Sequence, residues 1–511
     1  MTADEPAPVR GAVGSEPGSM TVDDAPRTTP TAPGAPRPAR RRTCWLSPLL
    51  LRLHFYAGIF VGPFILVAAL SGALYAVAEP VERAVYADEL TAAYADAPPV
   101  SLGEQVTAAR AYAGPDATLV AVRPAPEPGD TTRVMFSGAD LGESETRAVF
   151  VDPGTAEIRG DLTAYGTSGA LPLRTWLDHL HRNLHLGDPG RLYSELAASW
   201  LGVIALSGLA MWLIQLRRSR GRKKARQQLL RPGSGPTPYA RTRSRHLGFG
   251  IWIMAGALFL SATGITWSTY AGANVTDLRA ALGWGTPAVS TALDGGTAGG
   301  GDEHAGHHGG SGAAEARDTT EYAAGAFDSV LAVAQEVNVN TALVEITPPA
   351  EPGTAWVVQE IQRSYPTQVD AVAVDGSTMT VTDRVDFAEF GLIAKLARWG
   401  IDLHMGSMFG LPNQIVLLVL ASGIAAMVVW GYLMWWRRRP THDSRGPGDA
   451  PARGALAAVP WWGRVAALLV AAAVGVLLPL MGLTLAAFLV VDAVLGWRAR
   501  VRAGAGVPVA P

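Results

Sequence analysis

Four stretches of this 511-residue chain are apolar over lengths that can cross a bilayer, and this limits the available folds more than any other feature. They run over 49–77, 196–216, 247–270 and 411–436. About 20 predominantly apolar residues suffice to cross roughly 30 Å of hydrocarbon. In lipid every backbone N–H and C=O must be paired internally, so each stretch is read as a helix. A fifth stretch, 465–495, is too long for one untilted helix and is interrupted at Pro479-Leu480-Met481-Gly482. A tight hairpin of two short spans is expected there, with one tilted or interfacial helix as the alternative. Only 17% of residues are charged, below the quarter or so usual in soluble domains, which agrees with a lipid environment.

Lysine and arginine in the short flanks set the orientation. Arg40 to Arg42 precede the first span, and Arg217, Arg218, Arg220, Arg222, Lys223 and Lys224 follow the second. Arg241, Arg243 and Arg245 precede the third, Arg437 to Arg439 follow the fourth, and Arg498, Arg500 and Arg502 follow the last. All of these fall on one side if the two large loops lie outside. The expected order is a disordered cytoplasmic tail (1–44), span (45–78), outer domain (79–194) and span (195–216). A basic cytoplasmic loop (217–245), span (246–270), outer domain (271–410) and span (411–436) follow. A linker (437–463), the hairpin (464–497) and a cytoplasmic tail (498–511) complete it. The first 44 residues lack the apolar h-region of a cleavable signal peptide. A multi-pass protein of the inner or plasma membrane with a cytoplasmic N-terminus is expected.

The two halves read alike. With His54 placed on His246, Gly58 meets Gly250 and Gly72 meets Gly264. With His181 placed on His404, Gly187 meets Gly410 and Pro189 meets Pro412. In the loops, Leu119 to Pro124 with Glu127-Pro128-Gly129 matches Leu343 to Pro348 with Glu351-Pro352-Gly353. A short helical pattern lies upstream of each (105–113 and 330–337), and alternating apolar runs with a closing turn lie downstream. The expected fold is an α-helical polytopic membrane protein with two small α+β extracytoplasmic domains, produced by internal duplication.

Four of the ten histidines occupy the matched positions: His54 and His246 at one membrane face, His181 and His404 at the other. A single such histidine would be read as a cap or a headgroup contact. Two from different helices at each face is the geometry of a haem held by two axial imidazoles. Gly58, Gly62 and Gly250 leave room for a flat ring beside these histidines, though the spacing equally suits close helix packing. Arg52 and Arg245, and outside them Arg174, Arg182 and Arg398, are candidates for pairing with haem propionates or for fixing topology. His185 falls one turn after His181 on the same expected face, and Met408 is its counterpart. A pair of His185 with Met408 is the alternative to His181 with His404. His179 is read as an interfacial polar residue.

The loop Gly301-Asp302-Glu303-His304-Ala305-Gly306-His307-His308-Gly309 offers imidazoles and carboxylates to a divalent or ferric ion, with His304, His307 and His308 as the candidate metal ligands. It lacks fixed spacing and has no histidine-bearing counterpart in the first half, so a plain polar linker is the competing reading. The single cysteine, Cys44, excludes an internal disulfide or a cysteine-ligated cluster. The net charge of -2 gives no case for a nucleic-acid partner. No GxGxxG fingerprint followed by a βαβ pattern is present, so no built-in flavin or nicotinamide domain is expected.

Arg52-Leu53-His54 with Ser71-Gly72, Leu180-His181-Arg182 with Gly187-Asp188-Pro189-Gly190-Arg191-Leu192, Leu403-His404 with Phe409-Gly410, and Trp435-Trp436-Arg437-Arg438 carry a resemblance. Over about 45–440 the chain resembles the PepSY-associated transmembrane family, iron-regulated membrane proteins that include ferric-siderophore reductases. The resemblance implies PepSY-like outer domains and a haem b protein, with two haems, that moves electrons outward to ferric iron or a ferric chelate. The implied chemistry is that of an oxidoreductase, and the implied donor is external, a quinol or a cytosolic flavoprotein. Two other functions stay open from sequence. One is a non-redox PepSY protein that regulates a protease or an envelope protein. The other is a metal-uptake or metal-sensing accessory protein that uses His304 to His308.

Overall fold

The structure, a computed structural model, describes residues 46–219, 233, 235–293, 325–438, 451 and 459–504. The tail over 1–44 and the histidine-bearing loop at 301–309 lie outside the described residues, so the candidate ligands His304, His307 and His308 have no structural account.

The first apolar stretch is two helices, α1 (Leu46–Phe60) and α2 (Gly62–Tyr75), bent by 62°. Sequence alone reads one continuous helix, and Pro63 is the reason it is not. Proline has no N–H for the carbonyl four residues back, and its ring crowds that turn. The carbonyl concerned, Ile59 O, accepts instead from the Tyr432 hydroxyl at 2.6 Å. Gly62 permits the approach, since a Cβ there would lie 3.2 Å from Tyr432 Cε2. Inside a membrane such a carbonyl needs a protein partner, and Tyr432 is it.

Two short helices, α3 (Ala78–Val85) and α4 (Ala87–Leu90), lead to α5 (Leu102–Ala113) and the strands β1 (Thr118–Arg123), β2 (Thr132–Ser137), β3 (Glu145–Val151) and β4 (Ile158–Tyr165). Helix α6 (Pro172–Asn183) then turns into the span α7 (Asp188–Arg218). The next span, α8 (Pro238–Thr266), continues through α9 (Tyr270–Ala281) to α10 (Ala326–Val337). Strands β5 (Val344–Thr347), β6 (Trp356–Glu360), β7 (Ala371–Asp375) and β8 (Thr380–Val385) follow. Helix α11 (Leu392–Met405) precedes the span α12 (Leu411–Arg437). Each half therefore runs helix, four strands, helix, span. α7 and α12 also start alike. Gly187 (φ 63°, ψ -141°) and Gly410 (φ 56°, ψ -135°) hold a backbone open only to glycine, and a proline follows in each first turn.

The strands do not make two separate small sheets. They form one eight-stranded antiparallel sheet, β4-β3-β2-β1-β5-β6-β7-β8, joined where Val122 pairs with Ile346. Four strands alone would leave β1 or β5 as an open edge with unpaired N–H and C=O groups, and each edge covers the other. One apolar core results, with Phe136 and Val149 from the first half and Phe327, Ile346 and Trp356 from the second, all buried. Across the same junction, Asp328 of α10 accepts from the backbone N–H groups of Leu102 (2.9 Å) and Gly103 (3.2 Å) at the start of α5. Ser101 and Glu104 complete that cap reciprocally. Because both large loops feed one sheet, they leave the bundle at the same end.

In the bundle, α7 lies along α8, α12 along α2 and α8, and α1 along α7. The last apolar stretch breaks at Leu478 into α13 (Trp461–Leu477) and α14 (Pro479–Gly504). Gly475 and Gly482 let the two helices touch, since a Cβ on Gly482 would lie 2.7 Å from Gly475 Cα. The hairpin is tied to the bundle. Trp200 Nε1 donates to Thr484 Oγ1 at 3.0 Å, Asn274 Nδ2 donates to Val476 O at 3.0 Å, and Arg52 pairs with Asp492. The protein is a multi-pass membrane protein with a sheet-bearing domain at one end.

Candidate functional site: two pairs of imidazoles

His54, on α1, and His246, on α8, lie in a T-shaped arrangement with ring centres 6.1 Å apart and planes at 85°. Nδ1 of His54 lies 3.0 Å from Ile204 O and 3.1 Å from Ser207 Oγ on α7. A carbonyl can only accept, so Nδ1 of His54 carries the proton and Nε2 keeps its lone pair. Nδ1 of His246 is buried without a hydrogen-bond partner. Both rings line a cavity of about 470 Å³ enclosed by α1, α7, α8 and α12. Glycines keep it open: Gly58 faces free space, and a Cβ on Gly208 would come within 3.3 Å of His54 Cε1. Exposed Arg218, Arg243 and Arg438 belong to its wall.

The second pair sits at the sheet-bearing end. His181, near the end of α6, places Nδ1 3.0 Å from Ser71 Oγ on α2. His404, near the end of α11, places Nδ1 2.6 Å from Thr263 Oγ1 on α8. Each hydroxyl already donates its one hydrogen along its own helix, Ser71 to Val67 O at 2.9 Å and Thr263 to Phe259 O at 2.8 Å. Each must therefore accept from the imidazole, which again leaves Nε2 with a free lone pair. Gly72 makes the first contact possible, because a Cβ there would sit 3.0 Å from His181 Cε1. Tyr193 adds a hydrogen bond from its hydroxyl to His181 O at 2.7 Å. Burial lowers the pKa of both rings, that of His404 to about 3 with the neighbouring His181 as second cause. Both are neutral at physiological pH, as an imidazole ligand must be.

The remaining candidates are placed elsewhere. His185 does not share the face of His181. α6 ends at Asn183, and Leu184 and His185 take left-handed backbone angles (φ 55° and 57°), which turn His185 outward to stack on Trp176 at 5.0 Å. Met408 is buried, and its carbonyl accepts from Tyr365 N at 2.8 Å. His179 packs against Tyr165 and His185, at 5.3 and 5.9 Å. Arg52 is held by Asp492 and by Pro451 O and does not line the cavity, and Arg243 rather than Arg245 does. Among the described residues no three His, Cys, Asp or Glu side chains converge as a metal site.

Sequence reasoning missed the hydroxyls that fix the rings. The signal was present, since the alignment of Gly72 on Gly264 also sets Ser71 opposite Thr263. Polar side chains at matched depths in two spans ask for a buried partner.

A family model described as the PepSY-associated TM region matches residues 51–438 of the chain. No curated protein matches it.

Proposed function

The chain belongs to the PepSY-associated transmembrane family, and from that premise we propose that it is a haem-bearing electron carrier of the plasma membrane. In this reading it reduces ferric iron, free or chelated, beyond the bilayer. The sheet-bearing end is extracytoplasmic and the N-terminus cytoplasmic in this reading, which the arginine-rich flanks of the spans support. The two halves of the sheet are PepSY-like units that arose by duplication. The shared element order, the matched backbone at Gly187 and Gly410, and the hydroxyl–imidazole contacts at Ser71 and Thr263 support this.

The observation that carries the reading is that His54, His181 and His404 have Nδ1 anchored and Nε2 left basic, with the His54 and His246 rings 6.1 Å apart in the wall of one cavity. The dimensions suit haem. A metal–imidazole bond is about 2 Å, so two rings on opposite sides of one ion have centres about 6 Å apart. The spacing of His54 and His246 is 6.1 Å. The cavity of about 470 Å³ lies within the range of roughly 300–1,000 Å³ typical of cofactor pockets.

Bound between such rings, haem supplies one-electron transfer. The chain's own residues do the rest. His54 with His246 would hold one group and His181 with His404 a second, at opposite ends of the bundle. Ser207, Ser71 and Thr263 lock ring orientation and keep Nε2 unprotonated. The apolar walls of the inner cavity exclude water and so influence the potential. Without a nucleotide-binding fingerprint, electrons enter from a quinol or a cytosolic flavoprotein. A single electron delivered to Fe(III) weakens the hold of hard oxygen chelators and releases the metal.

The test is an absorption spectrum of purified protein before and after dithionite. The expected result is a low-spin haem spectrum, with His54→Ala and His404→Ala each removing about half of the haem and the double variant all of it. A colourless protein that is fully folded overturns the reading.

A further inference from the structure

Where the sheet meets the bundle, arginines crowd against too few buried carboxylates. Four pairs are matched. Arg123 lies 2.7 Å from Glu345, Arg174 3.3 Å from Glu82, Arg398 3.1 Å from Asp402, and Arg182 3.8 Å from Asp178. Arg133 and Arg363 come in addition. Arg133 donates to Gly169 O at 3.3 Å, and Arg363 donates to Thr167 Oγ1 at 2.9 Å. The carboxylate nearest Arg363 is Asp402 at 3.8 Å, which Arg398 already holds. Arg123 also reaches Thr167, through its carbonyl at 3.0 Å, so three guanidiniums clasp the turn after β4. Glu79 is partly exposed and accepts from Gln414 Nε2 at 3.0 Å, and Asp130 is partly exposed as well, so water screens both. Burial and the like charges nearby push both Arg133 and Arg363 down to about 10.

Two further features point to a ligand. A cavity of about 20 Å³ opens between Arg174 and Arg363, closed on the bundle side by Tyr75 and Gln414, and its wall holds one carboxylate, Glu79, against the two guanidiniums. Arg174 Nε is buried without a hydrogen-bond partner. A buried guanidinium donor lacking an acceptor is costly, as is a surplus of buried positive charge. The cavity is too small for a whole ligand and has room for about one small polar group. Planar, forked donors select a planar anion with two acceptor oxygens.

We propose that Arg174 and Arg363 form a receptor for a carboxylate belonging to a larger ligand whose body lies outside this cavity. Two sources present that chemistry. One is a propionate of a group held by His181 and His404, and this source alone rests on the function proposed above. The other is a carboxylate-bearing ferric chelate approaching from the sheet side. The histidines share helices with the cluster, since Arg174 and Arg182 lie on α6 with His181, and Arg398 and Asp402 lie on α11 with His404.

The test uses the full-length protein in detergent, with Arg363→Gln, Arg174→Gln and, as an exposed control away from the cluster, Arg384→Gln on β8. Haem retention is measured after loading with haem b or its dimethyl ester, and thermal stability is measured against citrate concentration. A propionate source predicts that wild type and the control retain haem b at least ten-fold better than the ester, with that preference lost in either glutamine variant. A chelate source predicts citrate stabilisation of wild type and the control, weakened at least ten-fold in midpoint concentration by either variant. The citrate arm decides even if the protein binds no haem, so failure of the haem reading is distinguishable. Equal retention of haem b and ester, or no haem at all, together with no citrate effect overturns the proposal. So does an effect shared equally by Arg384→Gln.

Discussion

Thr263 Oγ1 lies 2.6 Å from Nδ1 of His404, and because the same hydroxyl donates to Phe259 O it can only accept from the ring. Ser71 stands in the same relation to His181 at 3.0 Å. A hydroxyl on one helix thus sets which nitrogen of a histidine on another is free. Thr263→Val removes the acceptor at nearly constant volume. It is expected to cost about 1–3 kcal/mol, the penalty for a buried donor left unmet. The purified variant should keep its fold by circular dichroism and show an altered visible spectrum of the reduced protein, while Thr263→Ser restores both properties.

Tyr432→Phe tests the mended kink. The variant leaves Ile59 O without its partner and should lower stability by about 1–3 kcal/mol in detergent unfolding. Pro63→Ala returns an N–H to the same carbonyl. Combined with Tyr432→Phe it should recover much of the loss, so the two changes are non-additive. Additive losses would mean that the hydroxyl is not what stabilises the bend.

Gly58 lines the large cavity and has open space where a side chain would stand. Gly58→Leu is expected to fill that space with an apolar group and leave the melting temperature unchanged or higher. Cofactor content, by pyridine haemochrome assay, should fall by about half as the site beside His54 closes. Retention of full content would place the cofactor elsewhere.

Asp492→Asn breaks the pair that fastens α14 to α1. Arg52 is nearly buried, with 8% of its side chain exposed, whereas Asp492 is 31% exposed. The loss should therefore fall below the roughly 3–5 kcal/mol of a fully buried pair with one partner removed. Limited proteolysis in the linker before α13 should speed up, while the signal of the sheet domain is unchanged.

Glu360, at the end of β6, accepts from the backbone N–H groups of Asn340 (2.6 Å), Thr341 (3.1 Å) and Asp370 (3.2 Å). Burial raises its pKa more than these hydrogen bonds lower it. A carboxyl whose folded pKa is raised contributes stability that is full below its unfolded value, about 4.3, and lost as pH rises through the folded value. Thermal unfolding of wild type should therefore show a stability contribution that declines from pH 4 upward. Glu360→Gln should flatten that decline. An unchanged pH profile in the variant would remove Glu360 as its cause.

Much of the architecture was legible because lipid imposes strong local rules. Unbroken apolar length marks the spans, and the Pro479 to Gly482 interruption marks the turn between α13 and α14. The matched histidines were legible too, as ionisable residues at equal depths in paired segments. Helical phase failed at His185, where two left-handed residues after Asn183 end the periodicity that the reading assumed. Pro63 was visible in the sequence, but whether it would bend the span depended on Tyr432, more than 360 residues away.

The sequence by itself determined where the apolar spans lie, that the segments of β2, β3, β6 and β7 alternate as strands, and which histidines occupy corresponding places. Those properties follow from residues close together in the chain. It did not mark β4 and β8, which lie beyond the closing turns. Tertiary structure alone decided that two sets of four strands share one sheet, that Ser71, Ser207 and Thr263 set the free nitrogen of three imidazoles, and that six arginines gather at one junction. Each of these joins groups from distant segments, and its free energy exists only once burial has removed the competing water.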